Sequence, residues 1–141
     1  EYALSQKLPI VIHTRNSIDD TISIVSRYSK KGLTGVFHCF SGNLNQAYNI
    51  INMGFKIGVG GILTFKNSNI KNVISKIEIK HLILETDSPY LSPEPLRGKV
   101  NEPANIILIS EKLSEILSVP IEIVSQVTSE NVKNLFDLQS N

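Results

Sequence analysis

Four short runs of mainly apolar residues recur along the chain, and each is continuous instead of alternating with polar positions. The runs are LPIVIH, LTGVFH, FKIGVGG and HLILETD, and they begin at residues 8, 33, 55 and 81. Continuous apolar runs of this length are typical of parallel strands that are covered on both faces. The pattern therefore predicts four buried strands of a parallel sheet.

The stretches between these runs carry apolar residues at helical spacing. In the first, Ile18, Ile22 and Val25 share one face, Ser17 precedes them as the expected N-cap, and Gly32 follows the end. The same pattern recurs twice before the fourth strand. It predicts helices over residues 17–29, 43–53 and 67–77.

The C-terminal part of the chain is predicted to be helical after one long loop. Residues 88–103 hold four of the six prolines and form this loop. Beyond it the spacing predicts helices over 105–117, 121–127 and 129–138, the last with Thr128 or Ser129 as its cap. At the other end, residues 1–8 are typical of the end of a helix, which favours a fragment of a longer chain.

The regular alternation of strand and helix predicts a parallel α/β sheet. It fits either a doubly wound open sheet or part of a (β/α)8 barrel, and the pattern does not choose between them. No dinucleotide fingerprint and no P-loop lysine follows a strand, and GVGG at 58–61 is too short to count as one.

Composition narrows the class of protein. The 141 residues are 41% hydrophobic, which suits one globular domain with a buried core. Fourteen basic and thirteen acidic residues give a formal charge of +1, so any contact with phosphate must be local. One cysteine excludes an internal disulfide. With no apparent signal peptide and no apolar run of about 20 residues, we expect a cytoplasmic protein.

Three of the four predicted strands end on a residue that can bind a metal, namely His13, His38 and Asp87. The carboxyl ends of parallel strands meet at one edge of the sheet, so these side chains are expected to converge. Nitrogen and oxygen donors suit zinc, manganese or magnesium. Each residue also has a simpler interpretation, since a histidine can be a hydrogen-bonded core residue and Asp87 can cap a turn.

Two neighbouring residues are interpreted differently. Glu85 lies two positions before Asp87 and faces the same side of the strand, where it would orient the metal ligands from behind. The alternative is a salt bridge from Glu85 to a loop lysine or arginine. Cys39 is expected to be a small buried apolar residue without a functional role.

Five segments in order resemble one known family. LPIVIHTRNS, GVFHCFSGN, GFKIGVGGILTFKN, LILETDSPYLSPEPLRGKVNEP and TSENVKNLF are similar to the second half of the TatD family of metal-dependent deoxyribonucleases. The resemblance runs from residue 8 to residue 138. It implies a (β/α)8 barrel of the amidohydrolase type that hydrolyses DNA with Mg²⁺ or Mn²⁺, usually from the 3′ end.

The resemblance also implies roles for individual residues. His13 and His38 would hold one of two divalent ions, with Zn²⁺ possible in place of Mg²⁺ or Mn²⁺, and Asp87 would hold the other. Asp87 would position the attacking water and move its proton, and Glu85 would orient the ligands beside it. The family's first-strand His-x-His and bridging glutamate have no counterpart here.

Cationic residues past the strand ends are candidates for binding substrate phosphate. They are Arg15, Arg97 and Lys99, with Lys66 as a weaker candidate, and ordinary surface charge is the alternative for all four.

The expectation for the whole chain is a single partial domain, residues 1–141, that forms the second half of a barrel. Its partners would be single-stranded DNA or 3′ ends and the missing N-terminal half of the same barrel. Alone it should be inactive, and it should aggregate or dimerise because a half-barrel exposes two sheet edges.

Two other functions remain open. A related barrel hydrolase could act on an acyl ester or amide, as a D-aminoacyl-tRNA deacylase does. The chain could also be a truncated binding module without catalytic activity.

Overall fold

The computed structural model describes residues 1–138. Strands and helices alternate in chain order, and the helices and strands are α1 Tyr2–Ser5, β1 Ile10–His13, α2 Ile18–Ser29, β2 Gly35–His38, α3 Leu44–Asn52, β3 Lys56–Val59, α4 Ile70–Ile74, β4 Leu82–Leu84, α5 Ile106–Leu117 and α6 Ile121–Phe136. Short 3-10 helices cover Gly61–Thr64, Ile79–His81 and Pro103–Asn105. All four predicted strands are present, but the fourth, expected over residues 81–87, covers only Leu82–Leu84, so Asp87 lies three residues past its end.

The four strands form one sheet in the order β1-β2-β3-β4, and every neighbouring pair is parallel. A doubly wound sheet reverses its strand order at a switch point, whereas successive units of a barrel lie side by side. The described strands follow the second arrangement. The sheet is therefore a partial barrel, with β1 and β4 at its two edges.

The core lies between the sheet and the helices that follow its strands. The rings of Phe37 on β2 and Phe55, just before β3, meet edge to face with their centroids 5.8 Å apart. Their neighbours are fully buried side chains from the helices and strands, including Ile50, Ile57, Ile74, Leu82, Ile109, Leu113 and Val124. These contacts explain why the predicted strands are continuously apolar.

Strand β1 departs from the predicted burial. Its exposure alternates along the strand, and Val11 is 60% exposed. Ile10 and Ile12 pack against the core, whereas Val11 and His13 lie on the opposite face of the strand.

Three of the predicted helices have the wrong bounds. Residues 121–127 and 129–138 were expected to form two helices, but one helix, α6, spans Ile121–Phe136. The hydroxyl of Thr128 donates to the carbonyl of Val124 at 2.8 Å, so Thr128 lies inside the helix instead of capping one. The helix expected over 67–77 is shortened to Ile70–Ile74.

Within residues 1–138, none of the helices combines the length and the apolar character that crossing a membrane requires.

Candidate metal centre

The first two strands place two histidines side by side at the carboxyl edge of the sheet. His13 and His38 are the last residues of β1 and β2, and they are direct partners in the parallel register. Their ring centroids are 5.8 Å apart with the planes tilted by 40°. The convergence expected from the sequence is therefore present for this pair.

His38 lies between two carboxylates that follow β4. Its Nδ1 is 2.8 Å from Oε2 of Glu85, and its Nε2 is 3.2 Å from Oδ1 of Asp87. Asp87 is 33% exposed, against 17% for His38 and 19% for Glu85, so Asp87 faces the more open side. His38 thus lies beside both other sequence candidates, and His13, His38 and Asp87 are called the metal cluster below.

The tautomer of His38 follows from these contacts. An ionised carboxylate only accepts hydrogen bonds, so Nδ1 of His38 must donate to Glu85. In the neutral ring, Nε2 then carries a lone pair that points toward an oxygen of Asp87. In the protonated ring, Nε2 donates to this oxygen instead. Imidazole nitrogens and carboxylate oxygens are ligand types that divalent metal ions take. Among the described residues, the group whose ligand atoms all lie within 4.8 Å of one another is His38, Cys39 and Glu85, and His13 and Asp87 lie beside His38.

Glu85 contacts both the ring of His38 and the backbone of the next residue. Its Oε1 accepts from the backbone N–H of Cys39, the residue after His38. No lysine or arginine of the described chain pairs with Glu85, so the alternative salt bridge is wrong. Glu85 is a positioning residue for the His38 ring.

Gly58 makes room for this carboxylate. A Cβ built on Gly58 would lie 2.5 Å from Oε1 of Glu85 and 3.0 Å from the carbonyl oxygen of Phe37. A side chain at this position would displace Glu85, because the Phe37 carbonyl blocks the other direction. The sequence analysis found no role for the GVGG segment, and its first glycine is required by this close approach.

Asn101 is a second residue that the sequence analysis missed. It is buried, and its Nδ2 donates to the carbonyls of Thr86 at 2.7 Å and Tyr90 at 2.6 Å. These two residues flank Asp87, whose backbone is left-handed with φ of 56°. Asn101 therefore holds the turn that carries Asp87. An asparagine far along the proline-rich loop was the only signal for it.

Cys39 adjoins the metal cluster and is half-buried. Its sulfur lies within 4.8 Å of ligand atoms of His38 and Glu85. Burial, and then the negative charges of Glu85 and Asp87, raise the pKa of the thiol far above its ordinary value. A thiolate there would face two carboxylates. The expectation that Cys39 has no functional role stays a prediction.

The cationic candidates differ in how they are held. The guanidinium of Arg97 lies 3.8 Å from the ring centroid of Phe65, which orients it by a cation–π contact. Arg15, Lys66 and Lys99 are exposed, and within residues 1–138 no ion pair is formed by any of these four residues. Their charges are therefore available to a ligand, although their role in phosphate binding stays a prediction.

One segment of the family resemblance lies away from the metal cluster. Asn131, from TSENVKNLF, donates to the carbonyls of Ile79 at 3.0 Å and Leu82 at 2.7 Å. Its oxygen accepts from Nζ of Lys56 at 3.3 Å. Lys56 and Leu82 begin β3 and β4, so this network joins α6 to the amino edge of the sheet.

Sequential parallel strands with imidazole and carboxylate donors at their carboxyl ends define part of a barrel of the kind that metal-dependent hydrolases use. The chain belongs to the TatD family, since the family profile described as TatD related DNase matches residues 1–137. This confirms the resemblance and the fold class.

The comparisons with single proteins agree with the family. An uncharacterized metal-dependent hydrolase from Buchnera aphidicola is 42% identical over 137 residues, which cover 96% of this chain and 52% of the relative. YabD from Bacillus subtilis, named in the same way, is 37% identical and is covered over 51% of its length. The chain spans about half the length of the curated relatives it matches.

Solved structures give the same result. The crystal structure of YJJV, a TatD homologue from Escherichia coli, superposes with a TM-score of 0.91 at 31% identity, over 97% of this chain and 53% of that one. A TatD family hydrolase from Entamoeba histolytica gives a TM-score of 0.82 at 29% identity, over 94% and 53%.

Proposed function

We propose that this chain provides one half of a divalent-metal centre that cleaves the phosphodiester bonds of DNA, as a TatD-type 3′ exonuclease. The observation that supports the proposal best is the position of His38 between Glu85 and Asp87, with His13 beside it. The two histidines would hold one ion and Asp87 would hold a second. Mg²⁺ or Mn²⁺ suits this donor set, and Zn²⁺ is compatible with it.

A divalent ion bound at such a site lowers the pKa of a bound water and polarises the attacked phosphate. The residues of this chain perform the other tasks. Glu85 holds Nδ1 of His38 as a donor, which presents the Nε2 lone pair to the open side. Asp87 is the more exposed carboxylate, and it positions the attacking water and accepts its proton.

Phosphate would be bound by cations on the loops after the strands. Arg15 follows His13 by two residues, and Arg97 is already oriented by Phe65. Lys99 lies in the same loop as Arg97. Contacts to the backbone of the nucleic acid position it without selecting a sequence, which suits an exonuclease.

The proposed partner is an N-terminal half-barrel that closes the sheet. Within residues 1–138, strands β1 and β4 each have one neighbouring strand, so each offers an unpaired edge. Next to β4, an apolar groove of about 500 Å³ lies along α5 and α6, lined by Leu84, Ile106, Ile107, Ile121 and Val132 among others. A strand and helix of the other half would cover this groove, which matches the half-length coverage of the relatives.

Metal binding is the direct test of the proposed centre. We expect Mn²⁺ to bind the 141-residue chain weakly and His38→Ala to weaken it at least tenfold, measured by isothermal titration. His81→Ala is the matched control, because His81 is the third histidine and precedes β4 at the opposite edge. Equal loss in both variants would contradict the assignment of His38.

Nuclease activity tests the proposed reaction. The chain alone should release no nucleotides from 5′-labelled single-stranded DNA with Mn²⁺, because half of the ligand set is missing. Joined behind the first half of the Buchnera relative, it should release them in a metal-dependent way that His38→Ala abolishes. Strong turnover by the chain alone would contradict the proposal, and so would a folded hybrid that cleaves acyl esters but not DNA.

A further inference from the structure

A second cleft lies at the carboxyl edge of the sheet, beside the metal-binding residues. It is a cavity of about 410 Å³ that we call the amide cleft, lined chiefly by Thr14, Asn16, Ile18, Ser41, Asn69 and Val73. Thr14 follows His13 directly, and Ser41 is three residues after His38. The cleft and the metal cluster therefore occupy the same end of the strands.

The amide cleft is neutral, and four of its polar side chains make no hydrogen bond within residues 1–138, whereas those of Asn43 and Gln46 do. None of the residues that line it is charged. Within residues 1–138, no hydrogen bond is made by the side chains of Thr14, Asn16, Ser41 or Asn69. Each amide offers both a donor and an acceptor, and each hydroxyl offers either. These groups are available to a ligand without breaking a contact inside the protein.

Hydrogen bonds join the two helix starts that form the wall of the amide cleft. Asn43 and Gln46 form a reciprocal capping box, with contacts of 3.0 and 2.8 Å, and Nε2 of Gln46 donates to Asp19 at 2.9 Å. These bonds join the start of α3 to the start of α2. A Cβ on Gly42 would lie 2.5 Å from Oε1 of Gln46 and 2.9 Å from Cδ1 of Ile18. The cleft is thus preformed, which reduces the entropic cost of binding a ligand.

We propose that the amide cleft binds the nucleobase of a nucleotide whose phosphate lies at the metal-binding residues. The identity of the nucleotide rests on the proposed function. Asparagine amides match the paired donor and acceptor groups on the edge of a base, above all adenine. Ile18 and Val73 provide apolar contacts for the ring. The cleft is less suited to the phosphate group, because no cationic residue lines it. Arg15, Arg97 and Lys99 all lie outside the lining.

The test compares two ligands that differ only in the base, deoxyadenosine 5′-monophosphate and 2-deoxyribose 5-phosphate. Their dissociation constants for the 141-residue chain are measured by titration calorimetry with Mg²⁺ present. We expect the nucleotide to bind about tenfold more tightly, since one amide pair on a base edge gives discrimination of this order. The double variant Asn16→Gly/Asn69→Ala should lose this advantage and bind both ligands alike.

The variants are chosen to leave the fold intact. Asn16 has φ of 59°, which glycine adopts freely, and neither asparagine side chain holds a bond that the fold needs. The matched control is Asn49→Ala/Asn72→Ala, which removes two exposed amides from α3 and α4 outside the cleft. The control should keep the full preference for the nucleotide.

Three results would overturn the proposal. The first is equal affinity of the chain for the two ligands, which includes no measurable binding of either. The second is a preference for the nucleotide that remains in Asn16→Gly/Asn69→Ala. The third is an equal loss of this preference in the control variant. Because the readout is binding, it is separate from catalysis. A hybrid enzyme without nuclease activity would contradict the proposed function. A base-dependent affinity would still support base binding in the amide cleft.

Discussion

Polar side chains that are buried or half-buried lie both at the amino edge of the sheet, where the strands begin, and at its carboxyl edge, where they end. The hydrogen bonding of these side chains differs between the two. At the amino edge, Asn131 and Lys56 are bonded to each other and to backbone carbonyls. At the carboxyl edge, the bonds of His38 leave Nε2 and Asp87 directed at one another. At the amino edge the polar groups have hydrogen-bond partners, which favours the stability of the fold. The carboxyl edge keeps donor atoms available, which favours binding.

The largest expected effect is a loss of stability at the amino edge. Asn131→Leu leaves the carbonyls of Ile79 and Leu82 without this donor and removes an acceptor from Lys56. Unsatisfied buried groups of this kind cost about 1 to 3 kcal/mol each, so we expect a loss of about 3 kcal/mol in the free energy of unfolding, measured in urea.

Asn134→Leu is the control on the same helix, because Asn134 is exposed. It should change the free energy of unfolding by less than about 0.5 kcal/mol. If the two variants are equally stable, the amino edge does not act as the anchor of α6. Mn²⁺ affinity of folded Asn131→Leu should match that of the unmodified chain.

A smaller effect is expected at the carboxyl edge. Glu85→Gln keeps the shape of the side chain but removes the charge that fixes the proton on Nδ1 of His38. Substitutions behind a metal ligand typically cost about 10- to 100-fold in affinity, and we expect a loss in that range for Mn²⁺. Glu102→Gln, on an exposed loop residue, should leave the affinity unchanged. An unaltered affinity in Glu85→Gln would show that Glu85 does not position His38.

The smallest expected effect is a change of stability with pH at the amino edge. Burial, followed by the charges of Lys56 and Lys80, lowers the pKa of His81. Below pH 6.5 the unfolded chain therefore binds more protons at this residue than the folded one. Stability contributed by neutral His81 is present above pH 6.5 and is lost as the pH falls toward the lowered folded pKa.

Urea unfolding between pH 7.5 and 5 measures this contribution. His81→Gln should flatten the acid side of the curve, by less than either loss described above. An unchanged slope in His81→Gln would assign the acid sensitivity to other groups.

The family resemblance and the metal candidates could be found from the sequence because they depend on local patterns. Successive parallel strands align their ends, so the histidines that end β1 and β2 had to meet. The continuity of α6 was mispredicted because Thr128 and Ser129 are typical caps. Thr128 instead bonds within the helix, and its buried face also carries Asn131. The position of Asn131 on the apolar face of α6 was the feature of the sequence that could have indicated one continuous helix.

The sequence by itself determined the four strands, their parallel direction and the candidate ligands near their carboxyl ends, since these follow from periodicity and from the geometry of parallel sheets. The strand order came from the tertiary structure. Only the tertiary structure decided which partners the polar side chains choose. Glu85 pairs with His38 and not with a lysine of the described chain. Asn101 binds the turn that carries Asp87, and Gly58 leaves room for the carboxylate of Glu85. These contacts join residues distant in the chain, often through backbone groups that every residue has, so no local pattern encodes them.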